Sequence, residues 1–358
     1  MGVAVMTVQD NSSTTEYVPG STAPTGWAYH PDVPIQMNPL FAWPPKPVAS
    51  WRWLKSIWLT LSSTLIILVM AILCTQLFLP ATTEMASLEP GWIAGIWARN
   101  IITLFMVAGG LHWYFYQYKG QGREKKFDSR DFATNNKIFL FNNQVHDNMF
   151  WGLVSGVSFM TLFEVLLHWA FANGWSWQTP LIDAGWPSSL WYLAMFPLIA
   201  VWSSFHFYWV HRFLHWPPLY RLAHALHHKN INTGPWSGVS MHPIEHALYY
   251  SSLLIHLVVP SEPIHIVYHA MGQTLFPAFS HSGFADLIAA GRERMRTGDF
   301  FHQLHHRHFE CNYGTIEMPW DQWFGSFDDG TKEGRLAQRA RVRAMGRTVG
   351  VNKPSRRA

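Results

Sequence analysis

Charged residues are absent from the 24 consecutive positions Ser56 to Leu79 (SIWLTLSSTLIILVMAILCTQLFL). A helix over that run is about 36 Å long, enough to cross a hydrocarbon core of about 30 Å with some tilt. Apolar stretches at about 101–118, 148–172 and 188–210 predict three more spans. The third span carries Glu164 and His168. Ionisable groups at that depth mark a functional site by default, the alternative being a hydrogen bond between helices inside the bundle. A fifth stretch, 247–280, is broken by Pro260, Ser261, Glu262 and Pro263. It predicts a re-entrant hairpin or two half-spanning helices, because such a break in mid-span would strand backbone groups in lipid. Residues 1–50 show no sustained period and end in Pro44, Pro45 and Pro47. They read as a mostly disordered leader without the charged-then-apolar pattern of a signal peptide. The pattern as a whole predicts an all-α integral membrane protein. A stem at 51–210 with four or more transmembrane helices carries a helical cap at 211–330, which includes the 247–280 hairpin, and a tail follows at 331–358.

Composition agrees. Apolar types make up 49% of the 358 residues and charged types 13%, about half the roughly 25% usual in soluble domains. Disorder, collagen and a disulfide framework are excluded for the chain as a whole, since Cys74 and Cys311 are the two cysteines. The placement of charge matters more than its sum. The 119–147 loop holds Lys119, Arg123, Lys125, Lys126, Arg130 and Lys137, whereas the 80–100 and 173–187 connections hold Arg99 with Glu84, Glu89 and Asp183. The positive-inside rule therefore puts the leader, the 119–147 loop, the cap and the tail on the cytoplasmic side. The arginine-rich tail suits an anionic lipid surface rather than nucleic acid. Aromatic residues around 202–209, with Trp236, form either an interfacial belt or the lining of a lipid entrance.

Sixteen of the twenty histidines fall between residues 206 and 308, and neutral imidazole is a versatile ligand for iron, zinc, copper and nickel. His211 and His215 form an HxxxH pair, whose rings share one helix face. His224, His227 and His228 form an HxxHH set, and His302, His305 and His306 repeat it. In HxxHH the i, i+3 pair is expected to share a face, with the extra ring about 100° round the helix, so that one box touches two neighbouring metals. Too few carboxylates lie nearby for the usual carboxylate-bridged di-iron bundle. A zinc hydrolase needs only three protein ligands, so this many histidines point to two metals, with iron the favoured choice.

These motifs in order resemble the membrane fatty acid hydroxylase superfamily, which includes sterol C-5 desaturases, sterol C-4 methyl oxidases, sphingolipid hydroxylases and alkylglycerol monooxygenases. The resemblance covers about residues 145–330 through FYWVHRFLH (207–215), LYRLAHALHHK (219–229), HPIEH (242–246), HSGF (281–284), FHQLHHRHFECNYGT (301–315) and WDQWFGSF (320–327). It implies a histidine-ligated di-iron enzyme that uses O2 and two electrons to hydroxylate or desaturate a lipid. The implied ligands are His211, His215, His224, His227, His228, His281, His302, His305 and His306. His242 and Glu245 match a His-Pro-x-Glu/Asp element, as ligands or as partners of ligands. Asn312, Tyr313 and Gly314 match an Asn-Tyr/Phe-Gly/Ala element. His206 stands where many relatives have an acidic residue, and His246 makes an i, i+4 pair with His242, so both are further metal or ligand-partner candidates. Pro277 occupies the place where fatty-acyl 2-hydroxylases have a histidine, which points to the sterol-oxidase or generic bacterial branch. The leader has no His-Pro-Gly-Gly haem box, so a fused cytochrome b5 is not expected.

Cleaving an unactivated C–H bond lies beyond ordinary side chains, so a cofactor must supply the chemistry. The positive charge of an all-imidazole centre calls for nearby acceptors, for which Glu245, Asp321 and Asp299 are candidates. Lipid would arrive from the bilayer, and electrons from a ferredoxin- or cytochrome-type donor docked on the basic loop or tail. A membrane metal transporter and a zinc-dependent membrane hydrolase are the competing classes. The expected compartment is a bacterial inner membrane rather than the endoplasmic reticulum.

Overall fold

The computed structural model describes residues 27–177 and 186–344. Helix dominates the described residues, whose strands are one two-stranded hairpin and isolated bridges. The stem is built from α1 (Pro47–Trp58), α2 (Ser63–Phe78), α3 (Pro90–Gln117), α4 (Gln144–Ala172) and α5 (Trp186–Leu214). Three of these are long and apolar enough to cross a membrane, and the α1–α2 pair makes a fourth if taken as one span. The molecule is a multi-pass membrane protein.

Two boundaries differ from the sequence reading. The uncharged run at 56–79 is not one helix but two, bent by 41°. Ser62 causes the break: its extended backbone starts α2 and its hydroxyl accepts from the Leu65 N–H, satisfying a donor that a new helix leaves orphaned. The second span begins at Pro90, so Arg99 and Asn100 belong to a helix, not to a connection. Both are buried. Arg99 pairs with Glu164 of α4, while the Asn100 amide donates to Glu164 Oε2 at 3.1 Å and to Thr161 at 3.1 Å. His168, one turn further on, lies 3.5 Å from the same carboxylate. Of the two readings of Glu164 and His168, the structure gives the contact between helices.

The cap follows α5. A short helical stretch at 217–228 (α6) carries the second histidine box, and a wide π-turn at Tyr220–His224 opens it. Next come α7 (Pro243–Tyr250), a 3-10 segment (Ser251–Leu257) and α8 (Pro263–Ser280). The 247–280 stretch is a hairpin, and it reaches far into the bundle. At its tip the Ser261 N–H meets the Trp177 carbonyl at 3.2 Å, and the Trp191 indole donates to the Pro260 carbonyl at 2.9 Å. Both partners belong to the end of the stem opposite His211. Polar groups at this depth bond one another, His256 to Ser261 at 2.7 Å and to His269 at 3.0 Å, as a medium without water requires. Most of α8 is buried, and it packs against α2, α4 and α5 as the central helix of the molecule.

A β-hairpin (Asp286–Ala289 and Arg292–Arg296) then leads to α9 (Phe300–His308), which bears the third box. Its two-residue turn has both Ala290 and Gly291 at positive φ, as such tight hairpins need. Asp299 caps α9 by accepting the Phe301 N–H at 2.9 Å. The chain continues through α10 (Trp320–Trp323) to α11 (Lys332–Ala344).

Both ends of the chain pack more than their composition suggests. The leader expected over 1–50 is built against the cap from Trp27 onward, and residues 1–26 lie outside the described residues. Trp27, Tyr29, Val33 and Ile35 join Phe127, Phe300 and Leu304 in a small apolar cluster. Enough apolar side chains are interleaved with the prolines for burial to outweigh the ordering cost. In the tail, Gln338 and Val342 are buried, and the Gln338 amide donates to the Glu310 carbonyl at 2.6 Å. Arg347, Lys353, Arg356 and Arg357 lie outside the described residues. Trp236 is core, packed against Phe105, whereas Trp209 is exposed as a belt residue would be.

Candidate metal centre

The C-terminal end of α5, α6, the end of α8 and α9 converge where stem meets cap. They bring together nine buried histidines in two adjoining sets. His211, His215, His224, His228 and His305 form one, and His227, His281, His302 and His306 the other; within each set the ligand atoms lie within 4.8 Å of one another. These are the nine residues singled out by motif. The division within each HxxHH box differs from the expected i, i+3 pairing. His224 and His228 (i, i+4) share a set while His227 joins the other, and His302 and His306 likewise share a set while His305 crosses over. Helix geometry explains this, because i+4 is displaced by about 40° in azimuth and i+3 by about 60°.

Ring orientation is fixed from outside. The Nδ1–H of His211 donates to the Tyr313 carbonyl at 2.7 Å, that of His305 to the Cys311 carbonyl at 2.6 Å, and that of His281 to the Pro277 carbonyl at 2.9 Å. His227 Nδ1 faces the Ser240 carbonyl at 3.3 Å, and His224 Nδ1 lies 2.7 Å from Glu245 Oε1. A neutral imidazole has one N–H, so each of these rings, with Glu245 ionised, turns a bare Nε2 inward. His211 Nε2 and His224 Nε2 face each other at 3.1 Å, and whenever Glu245 is ionised no proton lies between them. Two opposed lone pairs are unfavourable alone and are resolved by a shared cation. Glu245 Oε2 is buried without a hydrogen-bond partner, and burial pushes this carboxyl well above the ordinary carboxylate range, a state a neighbouring cation would relieve. The donor set therefore fits two metal ions of borderline softness.

Burial holds the cap imidazoles neutral. His224, His228, His302, His305 and His306 are kept well below the ordinary histidine range, first by desolvation and then by one another, and His227 is pushed down to about 4, again mainly by desolvation. Neutral imidazole is the ligand form.

The carboxylates expected to support the centre do so in different ways. Glu245 touches a ring directly. Asp321 acts through a loop: Oδ1 accepts the Tyr313 N–H at 2.8 Å and Oδ2 the Gly314 N–H at 2.7 Å, which aims the Tyr313 carbonyl at His211. A Cβ at Gly314 would come 2.8 Å from Asp321 Oδ2, so the glycine permits this approach. Asn312 sits at φ 52°, a left-handed position that asparagine tolerates, and its side chain bonds the Phe301 and Asp328 backbones. Asp299 caps α9 and touches no ring of the centre.

Three candidates stay outside the centre. His206 bonds Ser251 at 3.0 Å, His246 is satisfied by Ser155 at 2.9 Å and the Val239 carbonyl at 3.2 Å, and the half-exposed His242 caps α7. The sequence reading missed the carbonyls of Ser240, Pro277 and Cys311, which any residue could supply. It also missed Glu310, 3.5 Å from His215 Nδ1 and the acceptor of the Tyr313 hydroxyl at 2.7 Å; its signal was an acidic residue just after the last box.

Fold and site together define a multi-pass membrane protein with inward-facing imidazoles gathered at one end of its helical stem. The family model described as fatty acid hydroxylase matches residues 196–326, a stretch holding all nine. The chain is similar to a Delta(7)-sterol-C5(6)-desaturase of Nicotiana tabacum, 28% identical over 66% of this chain and 84% of the relative. It is 26% identical to a Delta(7)-sterol 5(6)-desaturase of Candida dubliniensis, over 64% of this chain and 58% of the relative. A third relative, from Leptosphaeria maculans, is 25% identical over 68% of this chain and 69% of its own length. No solved structure matches significantly. These matches support the membrane fatty acid hydroxylase and sterol desaturase superfamily, whose named desaturases are oxidoreductases.

Proposed function

We propose that the chain is an O2-dependent lipid oxidoreductase with two irons held by the nine histidines, acting on a sterol-like or fatty-acyl membrane lipid by hydroxylation or desaturation. The observation that carries it is the convergence of nine buried rings in two sets, several with Nδ1 tied outward. His211, His215, His224, His228 and His305 would hold one ion, and His227, His281, His302 and His306 the other. When bound, two ferrous ions supply two electrons to O2, which makes attack on an unactivated C–H bond possible. The protein's own share is positioning. Carbonyls of Ser240, Pro277, Cys311 and Tyr313 fix ring orientation, Glu245 offsets charge, and burial of the cap keeps water from the centre.

The relatives' printed names favour a sterol-like substrate. The cation-rich 119–147 loop supports a cytoplasmic centre, since the start of α4 is tied to the residues after the second box by Lys229–Asp147 at 2.8 Å and Gln144–Asn232 at 2.8 Å. The two electrons that return the irons to the ferrous state would come from a separate ferredoxin- or cytochrome-type donor, and a bacterial inner membrane is the compartment we assign.

The test is metal content per chain of detergent-purified protein by mass spectrometry, with lipid extracts of expressing cells compared with and without O2. About two irons and an oxygen-dependent lipid product are expected. One zinc per chain, or a product formed without O2, would replace this reading with the hydrolase or the transporter.

A further inference from the structure

A second pocket lies apart from the histidines, at the end of α3 that faces the cap. Its volume is about 430 Å³, and Lys119, Arg123 and Lys126 line it together with His112 and His146. Asp131 is the one carboxylate in the lining, so the formal balance is two positive charges. Lys126 is the unusual member. Its side chain is 4% exposed, and its ammonium has three donors. One goes to the Arg130 carbonyl at 2.5 Å, the Tyr116 ring lies 5.9 Å from the ammonium, and the nearest carboxylate, Asp131, lies 4.0 Å away, paired with Arg123 at 3.4 Å and with its own side chain in solvent. A buried ammonium with donors to spare is costly unless an anion completes it. Burial pulls Lys126 below the ordinary lysine range.

The remaining wall is aromatic: Phe115, Tyr116, Phe132 and Phe284. The position is interfacial. Trp113 and Tyr118, at the same end of α3, are 58% and 63% exposed, as aromatic residues at headgroup level are. We propose that this pocket binds the phosphate of an anionic membrane phospholipid, with Lys126, Lys119 and Arg123 on the phosphate and the aromatic wall against the glycerol and upper acyl chain. The inference rests on the membrane placement of α3, not on the identity of the metals. The pocket also adjoins the centre: the Tyr116 hydroxyl donates to the Ser282 carbonyl at 2.8 Å, next to His281, and Phe284 stacks on Phe115 at 4.4 Å.

The test uses the full chain, delipidated in detergent and titrated with phosphatidylglycerol, phosphatidylcholine or inorganic phosphate, with bound lipid counted by native mass spectrometry. Phosphatidylglycerol is expected to be retained at least about tenfold more tightly than phosphatidylcholine. Lys126→Met should remove most of that preference. The exposed pair Lys119→Ala/Arg123→Ala should weaken it while leaving metal content unchanged, and serves if Lys126→Met does not fold. Equal retention of both lipids, retention unaltered in the folded variants, or inorganic phosphate binding as tightly as the lipid would each overturn the proposal.

Discussion

At the residue scale the centre depends on buried groups that are not themselves in either set of rings. Glu245 is the clearest, with one oxygen on His224 Nδ1 and the other unpartnered. Glu245→Gln keeps an acceptor and removes the charge, and is expected to lower metal affinity or turnover about 10- to 100-fold. Metal per chain after dialysis, together with product formation, checks this; a variant that holds iron and works like the parent would dismiss the charge-balancing role. The ligands themselves should be less forgiving. His224→Ala or His305→Ala is expected to abolish turnover in protein that still inserts and folds, as product analysis beside the elution profile in detergent would show. Histidine spacing made eight of the nine rings legible in the sequence, and the isolated His281 came from the family resemblance. The division of the rings into sets was not legible, because one helical box seen alone cannot say which of its faces meets which neighbour. Backbone acceptors such as the Cys311 and Ser240 carbonyls leave no mark on residue type, whereas Asn312 and Gly314 were legible through the motif they match and Asp321 as a nearby acidic side chain.

At the element scale the stem is joined by the α3–α4 polar contact. Arg99 and Glu164 are both buried, so removing either leaves an unpaired charge. Arg99→Ala or Glu164→Ala should therefore cost about 3–5 kcal/mol, and replacing both by apolar residues of similar size, Arg99→Met/Glu164→Leu, should recover most of it. Thermal denaturation in detergent distinguishes the cases, and a double variant no better than the singles would refute the account. Hydropathy located these helices well and placed their ends poorly. It assigned Arg99 to a loop because a charge normally ends a span, and it could not see that Glu164, 65 residues away, receives it. The kink at Ser62 escaped for the opposite reason, since serine interrupts no apolar average.

At the scale of the whole molecule the histidine cap makes folding sensitive to acid. In the unfolded chain these rings would titrate near 6.5, while burial in the fold holds them lower, His227 at about 4. Between those values the unfolded state binds more protons, so stability falls as pH drops below about 6.5, by about 1.4 kcal/mol per pH unit for each such ring. Metal-depleted protein is expected to lose its thermal transition between about pH 7 and pH 5, and metal-loaded protein to keep it to lower pH. A depleted sample with the same Tm at both pH values would count against neutral buried rings. Helical class followed from sequence alone, but the packing of Trp27 to Ile35 on α9 did not, because burial there depends on Phe300 and Leu304, far along the chain.

The crossed division of the boxes bears on how such a protein can change over generations. On the ligand assignment proposed above, α6 and α9 each serve both positions. Losing or replacing either helix removes ligands from both positions at once. A lineage that alters one position along α6 or α9 therefore disturbs the other as well.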